Sequence, residues 1–392
     1  MTLSADTRLL LGIAIGQAIG WGTLFAVFPL FGAPMEAELG WSRTEINAGL
    51  TLAILVSGLA AVPVGQHVDR HGGRRMLAWG GFLGAALLAL WSVAESRALY
   101  WTLWAGMGLA QAAALWGPAM AVVVTAARDP NRTITGITFI TGFTGTVFVP
   151  LGAALIAALG WRQALLALAA LQLLPGLLAL WLLPQPPPRL PGAARASASL
   201  RDAVRRPAFL GLAACFAAHA FIGVGLGAHA IPLLRERGLP EASVLLIVAL
   251  HGPFQVAARF ALFALGRRVT MRGVGRLATA LTPVGMLVLA LAPPHLAWLV
   301  FYALCWAVAD GLMTIIRAAG TAEILGREGY GAITGALSVA TVLPRTAAPV
   351  LIALIWESTG SYGPVPWLLV GLGCLAVAAF AAAARARQGR AR

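Results

Sequence analysis

Long apolar blocks alternate with short charged segments along this chain. Each block is close to the roughly 20 residues that an α-helix needs to cross a lipid bilayer. The pattern predicts an all-α integral membrane protein of twelve transmembrane helices, numbered here as spans 1 to 12. The predicted spans lie near residues 8–33, 45–68, 76–94, 98–126, 133–159, 162–183, 207–234, 241–265, 274–292, 296–322, 331–356 and 364–384.

The predicted spans form two sets of six on either side of a segment that is rich in proline, then in small polar residues, then in arginine. The segment has no hydrophobic period, which is typical of a linker. We expect an N-terminal six-helix half at 1–183, a cytoplasmic linker at 184–206 and a C-terminal six-helix half at 207–392. Two such pseudo-symmetric halves, with a substrate site between them, are a common layout of transporters.

Composition excludes an ordinary soluble fold. The mean hydropathy is +0.84 and only 11% of the residues are charged, so a water-soluble protein could not bury the apolar surface. The first apolar block runs for about 25 residues, longer than the hydrophobic part of a signal peptide, and we expect it to remain as span 1. Cys215, Cys305 and Cys374 lie in separate apolar blocks, so we expect neither a disulfide framework nor a metal, and no cofactor.

The distribution of positive charge indicates orientation. All 28 basic residues are arginines; twenty lie in one alternating set of loops and the termini, five in the other set, and three inside spans. By the positive-inside rule, both termini lie in the cytoplasm, and we expect a multi-pass protein of a bacterial inner membrane. A nucleic-acid partner would need a basic face on a soluble element, and the sequence predicts none.

The segment GQHVDRHGGRRML, residues 65–77, connects spans 2 and 3. An aspartate at a helix end can accept hydrogen bonds from the N-terminus of a neighbouring helix, while arginines stay at the cytoplasmic surface. The segment closely resembles the hallmark loop of the major facilitator superfamily, Gly-x-Leu-Ala-Asp-Arg-x-Gly-Arg-Lys-x-x-Leu. In that family the loop latches the halves in the outward-facing state. The matching candidate latch residues are Gly65, Asp69, Arg70, Gly72 and Arg74, with Leu77.

Two departures accompany this match. Within the loop, His67 replaces a leucine and Gly73 replaces a basic residue. The corresponding loop of the second half, GRRVTMRGVGR at 266–276, is basic but has no acid. The resemblance therefore implies an acid-dependent latch in the first half alone.

Four further stretches resemble the monocarboxylate-porter branch of the superfamily and its bacterial relatives. They are LGWSRTEINAG (39–49), RTITGITFITGFTGTVFVPL (132–151) followed by GWR (160–162), QVAAR (255–259) and WESTGSYGPVPW (356–367). The resemblance implies that Arg259 binds a substrate carboxylate. The carboxylate often found four residues earlier is Gln255 here, and the chain has no lysine to match the basic residue that some porters carry in span 1.

Four charged residues lie well inside predicted spans, away from the span ends, where an ionised group costs several kcal/mol, from about 2.5 upward, and therefore needs a partner or a function. They are Arg259 in span 8, Asp310 and Arg317 in span 10, and Arg345 in span 11. One interpretation is a structural pair between Asp310 and an arginine, and another is that Arg259 snorkels to the surface. The surplus of arginines alternatively suits an anionic substrate.

Further polar residues in the spans are candidates for substrate or proton binding. His251, Gln255 and Arg259 share one stripe of span 8, and His219 and Asp310 are the candidates for a coupling proton. Packing between helices explains single polar residues equally well. The substrate-binding candidates are Arg259, Gln255, His251, Arg345, Gln17 and Thr141, with Gln111, Trp116, Thr138 and Thr144 as further polar residues of the first half.

Together these features favour a non-enzymatic secondary transporter of the major facilitator superfamily. We expect alternating access, a monomer within the lipid bilayer, and a small organic anion such as a monocarboxylate carried with a proton. An efflux pump for a drug or anionic toxic compound is the alternative, and a receptor or scaffold without transport is a third. Bending at Pro150, Pro344 and Pro349 would serve alternation, although routine kinks explain these prolines as well.

Overall fold

The computed structural model describes residues 5–184 and 195–385, and this part of the chain contains helices and no strand. Eleven of its helices are long and apolar enough to cross a membrane, and the shorter helix of span 3 makes twelve. The spans are Asp6–Leu39, Glu45–His71, Gly73–Trp91, Arg97–Ala126, Pro130–Leu159, Trp161–Leu182, Pro207–Glu236, Ala242–Leu265, Met271–Leu291, Leu296–Leu325, Tyr330–Thr359 and Pro364–Arg385.

The predicted fold class is confirmed, and most span ends lie within three residues of the prediction. Span 1 is the exception, because it continues for six residues beyond the predicted end through a stretch that contains two glutamates. Span 3 begins with Arg74 and Arg75, which lower its mean hydropathy. In the predicted linker, residues 195–204 form a helix, and residues 185–194 lie outside the described residues. The predicted boundaries of the halves stay a prediction.

Turn chemistry explains several span ends. Span 2 begins with a capping box in which Ser42 and Glu45 each accept from the other's backbone N–H. Gly72 and Gly160 each form the whole connection between two spans, at φ 78° in both cases. Glycine adopts this conformation without the steric cost that a side chain would bring.

The chain divides into two compact units. Unit 1 contains Met1–Leu200 and Glu328–Ala336. Its core includes a buried aromatic cluster in which Trp91 and Trp104 pack edge to face, with ring centroids 5.0 Å apart. Phe28, Phe31 and Tyr100 complete the cluster.

Unit 2 contains Arg201–Arg327 and Leu337–Arg392. Span 9 packs against spans 10 and 12, span 7 against span 12, and span 8 against span 10. The buried core includes Phe221, Met286, Trp306 and Leu369. Large apolar side chains also face outward, for example Leu343 at 75% exposure, as expected of a surface that meets lipid.

Five spans are interrupted by irregular backbone. Span 1 passes through a π-helical turn at Gly22–Ala26 and a 3-10 turn at Phe28–Phe31. Span 4 breaks at Leu115, span 5 at Gly142 and Phe143, and span 8 at Leu250. Span 10 contains a second π-helical turn, Ile316–Gly320. Backbone groups released at such breaks need other partners, and irregular helices in membranes are common at functional sites.

Candidate functional site

Two glutamines of unit 1 satisfy carbonyl groups at the helix breaks. Gln17 Nε2 donates to the carbonyl of Ala114 at 2.8 Å, and the residue four positions on, Pro118, has no N–H to offer. Gln111 Nε2 donates to the carbonyl of Leu24 at 3.0 Å. The π-helical donor for that carbonyl would be residue 29, which is also a proline. Gln17, a predicted substrate ligand, therefore has a structural partner.

Thr141, the other predicted ligand in unit 1, bonds within its own helix. Its hydroxyl lies 3.0 Å from the carbonyl of Ile137 and 3.3 Å from that of Thr138. Thr141 is partly exposed and lies directly before the break in span 5. Its side chain keeps lone pairs for a second contact.

In unit 2, the carboxylate of Asp310 is bound by side chains from two other spans. His219 Nε2, in span 7, lies 2.9 Å from Asp310 Oδ1, and His251 Nε2, in span 8, lies 3.3 Å from Oδ2. Gln255 Nε2 also donates to Oδ2. The side chain of His219 is 7% exposed and that of His251 is 35% exposed, so the two imidazoles differ in access.

Arg259 joins this cluster through Gln255. Its Nη2 donates to Gln255 Oε1 and to Thr314 Oγ1, both at 3.2 Å, and its Nε donates to the carbonyl of Gly311 at 3.4 Å. Spans 8 and 10 approach closely here, since a Cβ at Gly311 would lie 3.1 Å from the backbone of Gln255. Arg259 is 8% exposed, and its guanidinium is bound to span 10.

Trp306 forms a flat surface beneath both imidazoles. Its ring centroid lies 5.0 Å from that of His219 and 6.2 Å from that of His251, with interplanar angles of 36° and 23°. Trp306 is 5% exposed and lies four residues before Asp310, on the same helix face. The sequence prediction did not include Trp306, although its spacing of four residues from Asp310 places both side chains on one helix face.

Two further arginines lie near the cluster. Arg317, in the π-helical turn of span 10, donates to Thr341 Oγ1 at 3.4 Å and lies 5.7 Å from the ring centroid of Phe216. Arg317 interacts electrostatically with Asp310 and with the half-buried Arg345 of span 11. The charges of three guanidinium groups and one carboxylate therefore influence one another in this part of unit 2.

The segment at 65–77 binds the start of span 11, within unit 1. Asp69 accepts from the backbone N–H groups of Gly331 and Ala332, at 2.9 and 2.8 Å. These are the first turn of the helix, where N–H groups lack internal partners and favour an anion. A Cβ at Gly65 would lie 2.0 Å from the carbonyl oxygen of Gly331, so the two backbones touch.

The remaining predicted latch residues have separate positions. Arg70 is exposed, and Gly72 forms the turn between spans 2 and 3. Arg74 donates to the carbonyl of Leu180 at the end of span 6. The structure thus assigns the contact with span 11 to Gly65 and Asp69.

Each unit also contains a glutamate near the end of its first span that accepts from a tryptophan Nε1–H. In unit 1, Glu38 accepts from Trp161 Nε1 at 2.5 Å and from Arg162 Nε at 2.8 Å. In unit 2, Glu236 accepts from Trp356 Nε1 at 3.1 Å and from the N–H of Tyr362 at 2.7 Å. Burial and the nearby Glu236 raise the pKa of the Tyr362 phenol. The contacts repeat one motif at the end of the first span of each unit.

The fold and these sites define a multi-pass membrane protein with the helix layout of a secondary transporter. The chain belongs to the Major Facilitator Superfamily, whose family model matches residues 13–349. Among curated proteins, none matches this chain in sequence. The match to the family model confirms the predicted superfamily.

Solved structures show the same fold at low sequence identity. FucP, the fucose:proton symporter of E. coli, in its outward conformation, has a TM-score of 0.76 at 16% identity, covering 95% of this chain and 97% of FucP. The human organic anion transporter TETRAN has a TM-score of 0.70 at 18% identity, covering 96% and 100%. The proton:xylose symporter XylE has a TM-score of 0.70 at 14% identity, covering 95% and 94%.

Proposed function

We propose that this protein is a proton-coupled secondary carrier of a small organic anion, most simply a monocarboxylate, in a bacterial inner membrane with both termini cytoplasmic. One observation carries the proposal: the Asp310 carboxylate contacts two imidazoles and is separated from the Arg259 guanidinium by a single amide. The carboxylate and imidazoles can take up a proton. The guanidinium offers paired donors that suit a carboxylate.

The charge balance of unit 2 supports an anion as the substrate. Arg259, Arg317 and Arg345 outnumber Asp310, and an added negative group near these arginines would offset their mutual repulsion. A pump for cationic drugs would favour acids in its site. Efflux of an anionic toxic compound uses the same contacts, so direction is a separate question from substrate class.

The names of the structural neighbours support two substrate classes. TETRAN is an organic anion transporter, whereas FucP and XylE are proton symporters of sugars. A sugar site needs chiefly neutral hydrogen-bonding groups and has no use for a surplus of arginines. We therefore favour the anion and treat the sugar as the alternative that the experiment must include.

Asp69 is proposed as the latch of the transport cycle. Its two hydrogen bonds to the N-terminus of span 11 exist only while residues 65–69 and 331–332 are in contact. A contact of this kind stabilises one conformational state and leaves the substrate site itself unchanged.

Uptake into liposomes tests the proposed function. Purified protein is reconstituted, and entry of labelled lactate, succinate and fucose is compared with and without an imposed pH gradient. We expect gradient-driven accumulation of an anion and no accumulation of fucose. Accumulation of fucose alone would establish the sugar alternative, while release of preloaded anion under an inward proton gradient would indicate efflux.

A further inference from the structure

The side-chain amide of Gln255 lies between a group that can only donate and a group that, when ionised, can only accept. The Arg259 guanidinium contains donor atoms and no acceptor atom, and its Nη2 lies 3.2 Å from Gln255 Oε1. The Asp310 carboxylate has no donor, and it faces Gln255 Nε2. These two neighbours fix which end of the amide is oxygen and which is nitrogen.

This orientation determines the protonation state of His251. Gln255 Nε2 also lies 2.8 Å from His251 Nε2. An amide nitrogen donates and does not accept, so His251 Nε2 must be the acceptor. The 3.3 Å approach of His251 Nε2 to Asp310 Oδ2 is then a contact between two acceptors, and it becomes a hydrogen bond only when Nε2 is protonated. A neutral imidazole whose Nε2 accepts carries its proton on Nδ1. His251 is therefore neutral while Arg259 is bonded to Gln255.

Rotating the Gln255 side-chain amide by 180° would exchange the positions of its oxygen and its nitrogen. Its oxygen would then face Asp310 Oδ2 and His251 Nε2, so three acceptors would meet. A proton added at His251 Nε2 would relieve this clash, because the imidazolium can donate to both oxygens. The amide nitrogen would face Arg259, which cannot accept. The turned amide is thus stable only with a proton at one end and an anion between Gln255 and Arg259 at the other.

We propose that Gln255 is an amide switch that links anion binding at Arg259 to the uptake of one proton by the His251–Asp310 pair. The inference rests on the proposed function and specifies its coupling. The anion accepts from Arg259 and from the turned amide. The proton comes from water, is held on His251 Nε2, is donated from there to Gln255 Oε1 and Asp310 Oδ2, and returns to water when the anion leaves. Linkage requires that proton and anion each tighten binding of the other.

Several other groups face this pair and set the background of its titration. They are His219 from span 7, which contacts Asp310 Oδ1, and the Trp306 ring below both imidazoles. Arg317 acts on Asp310 from the π-helical turn, and Arg345 of span 11 acts on Arg317. None of these groups contacts the Gln255 amide in the described residues, so the switch can be tested apart from them.

Calorimetry with lactate and succinate provides the first test. Titration of the detergent-purified protein in two buffers of different ionisation enthalpy gives the number of protons taken up per anion bound. We expect about one proton for the wild type, and close to none for Gln255→Met, which keeps the volume and Arg259 but has no amide. Equal proton uptake by both proteins, or anion binding without uptake by the wild type, would overturn the switch. Failure of the wild type to bind either anion would instead refute the proposed function.

A second test needs no substrate. A protonated imidazole quenches a neighbouring indole, so the emission of Trp306, taken as the difference from a Trp306→Phe protein, reports protonation of the pair against pH. Arg259→Ala removes the group that holds the Gln255 amide in its present orientation. We expect this substitution to raise the midpoint pH of the Trp306 emission change in proteins with either Gln255 or Gln255→Met. The rise should be larger by about one pH unit when Gln255 is present. An equal rise in both backgrounds would mean that Arg259 acts through its charge alone. Gln163→Met, at an exposed glutamine of span 6, is the matched control and should leave the midpoint unchanged.

Discussion

Asp310 is the residue to which we assign proton coupling in the proposed function. Its two carboxylate oxygens face imidazoles from different spans, and Trp306 holds both rings in place. The sequence predicted the depth of Asp310, His219 and His251 because helical spacing gives depth. It could not predict their meeting, since that depends on how spans 7, 8 and 10 rotate about their own axes.

We predict that Asp310→Asn abolishes pH-driven accumulation and leaves exchange of labelled for unlabelled substrate measurable. The amide keeps the shape and polarity of the side chain but does not ionise within the working pH range. Both activities are measured in the same liposomes. Glu357→Gln, at the exposed end of span 11, is the control and should retain both. Accumulation that survives in Asp310→Asn would assign the proton to a histidine or to the substrate.

We predict that Arg259→Lys weakens anion binding by about tenfold or more and that Arg259→Ala abolishes it. A lysine supplies charge without the planar pair of donors, and a tenfold loss corresponds to about 1.4 kcal/mol. Thermal stabilisation by the transported anion measures the effect. Arg276→Ala, an exposed arginine of span 9, should be stabilised as the wild type is. Full stabilisation of Arg259→Ala would exclude the anchor role.

At the scale of helices, the lengths of the spans were predictable and their interruptions were not. Hydropathy gives length, because lipid imposes it. Pro150, Pro344 and Pro349, which the sequence suggested as bending points, lie inside continuous helices. The breaks of spans 4 and 8 instead lie three residues before Pro118 and Pro253. Neighbouring helices decide which prolines break a span, by offering or withholding partners for the released carbonyls.

We predict that Gln17→Leu lowers the stability of the protein by about 1–3 kcal/mol, the cost of leaving the buried carbonyl of Ala114 without a donor. Thermal unfolding in detergent, followed by circular dichroism, measures the change. Gln163→Leu removes an exposed glutamine and should have little effect. If Gln17→Leu unfolds at the wild-type temperature but loses substrate affinity, Gln17 is a ligand and the carbonyl contact is incidental.

At the scale of the whole molecule, the superfamily could be identified from the segment at 65–77 and from twelve regularly spaced spans. The family match over residues 13–349 confirms it. The monocarboxylate branch stays a proposal, because structural neighbours at 14 to 18% identity show the fold alone. In the proposed site, substrate class depends on a few side chains such as Arg259 and Gln255, and no sequence pattern gives the distances between them.

We predict that Asp69→Asn slows transport several-fold while the protein reaches the membrane in normal amounts. An amide group cannot accept from both N–H groups of the first turn of span 11 as a carboxylate does, and charge-assisted bonds of this type contribute about 1.5–3 kcal/mol. Turnover per molecule in liposomes is the measurement, with Glu95→Gln in an exposed loop as control. Wild-type turnover of the Asp69→Asn protein would exclude the proposed latch role of Asp69.

Besides the two hydrogen bonds to the Asp69 side chain, spans 2 and 11 are in contact through their main chains. A Cβ at Gly331 would lie 2.5 Å from the carbonyl oxygen of Gly65, and one at Gly335 would lie 2.4 Å from that of Ala61. Separating these helices at the glycines would therefore expose peptide groups to water and little apolar surface. Exposure of apolar surface is what gives conformational equilibria a large heat capacity change, and polar exposure has the opposite sign. For the proposed latch, the balance between the joined and parted forms should then follow a nearly straight van't Hoff line, so that warming or cooling the cell shifts this proposed step gradually and in one direction.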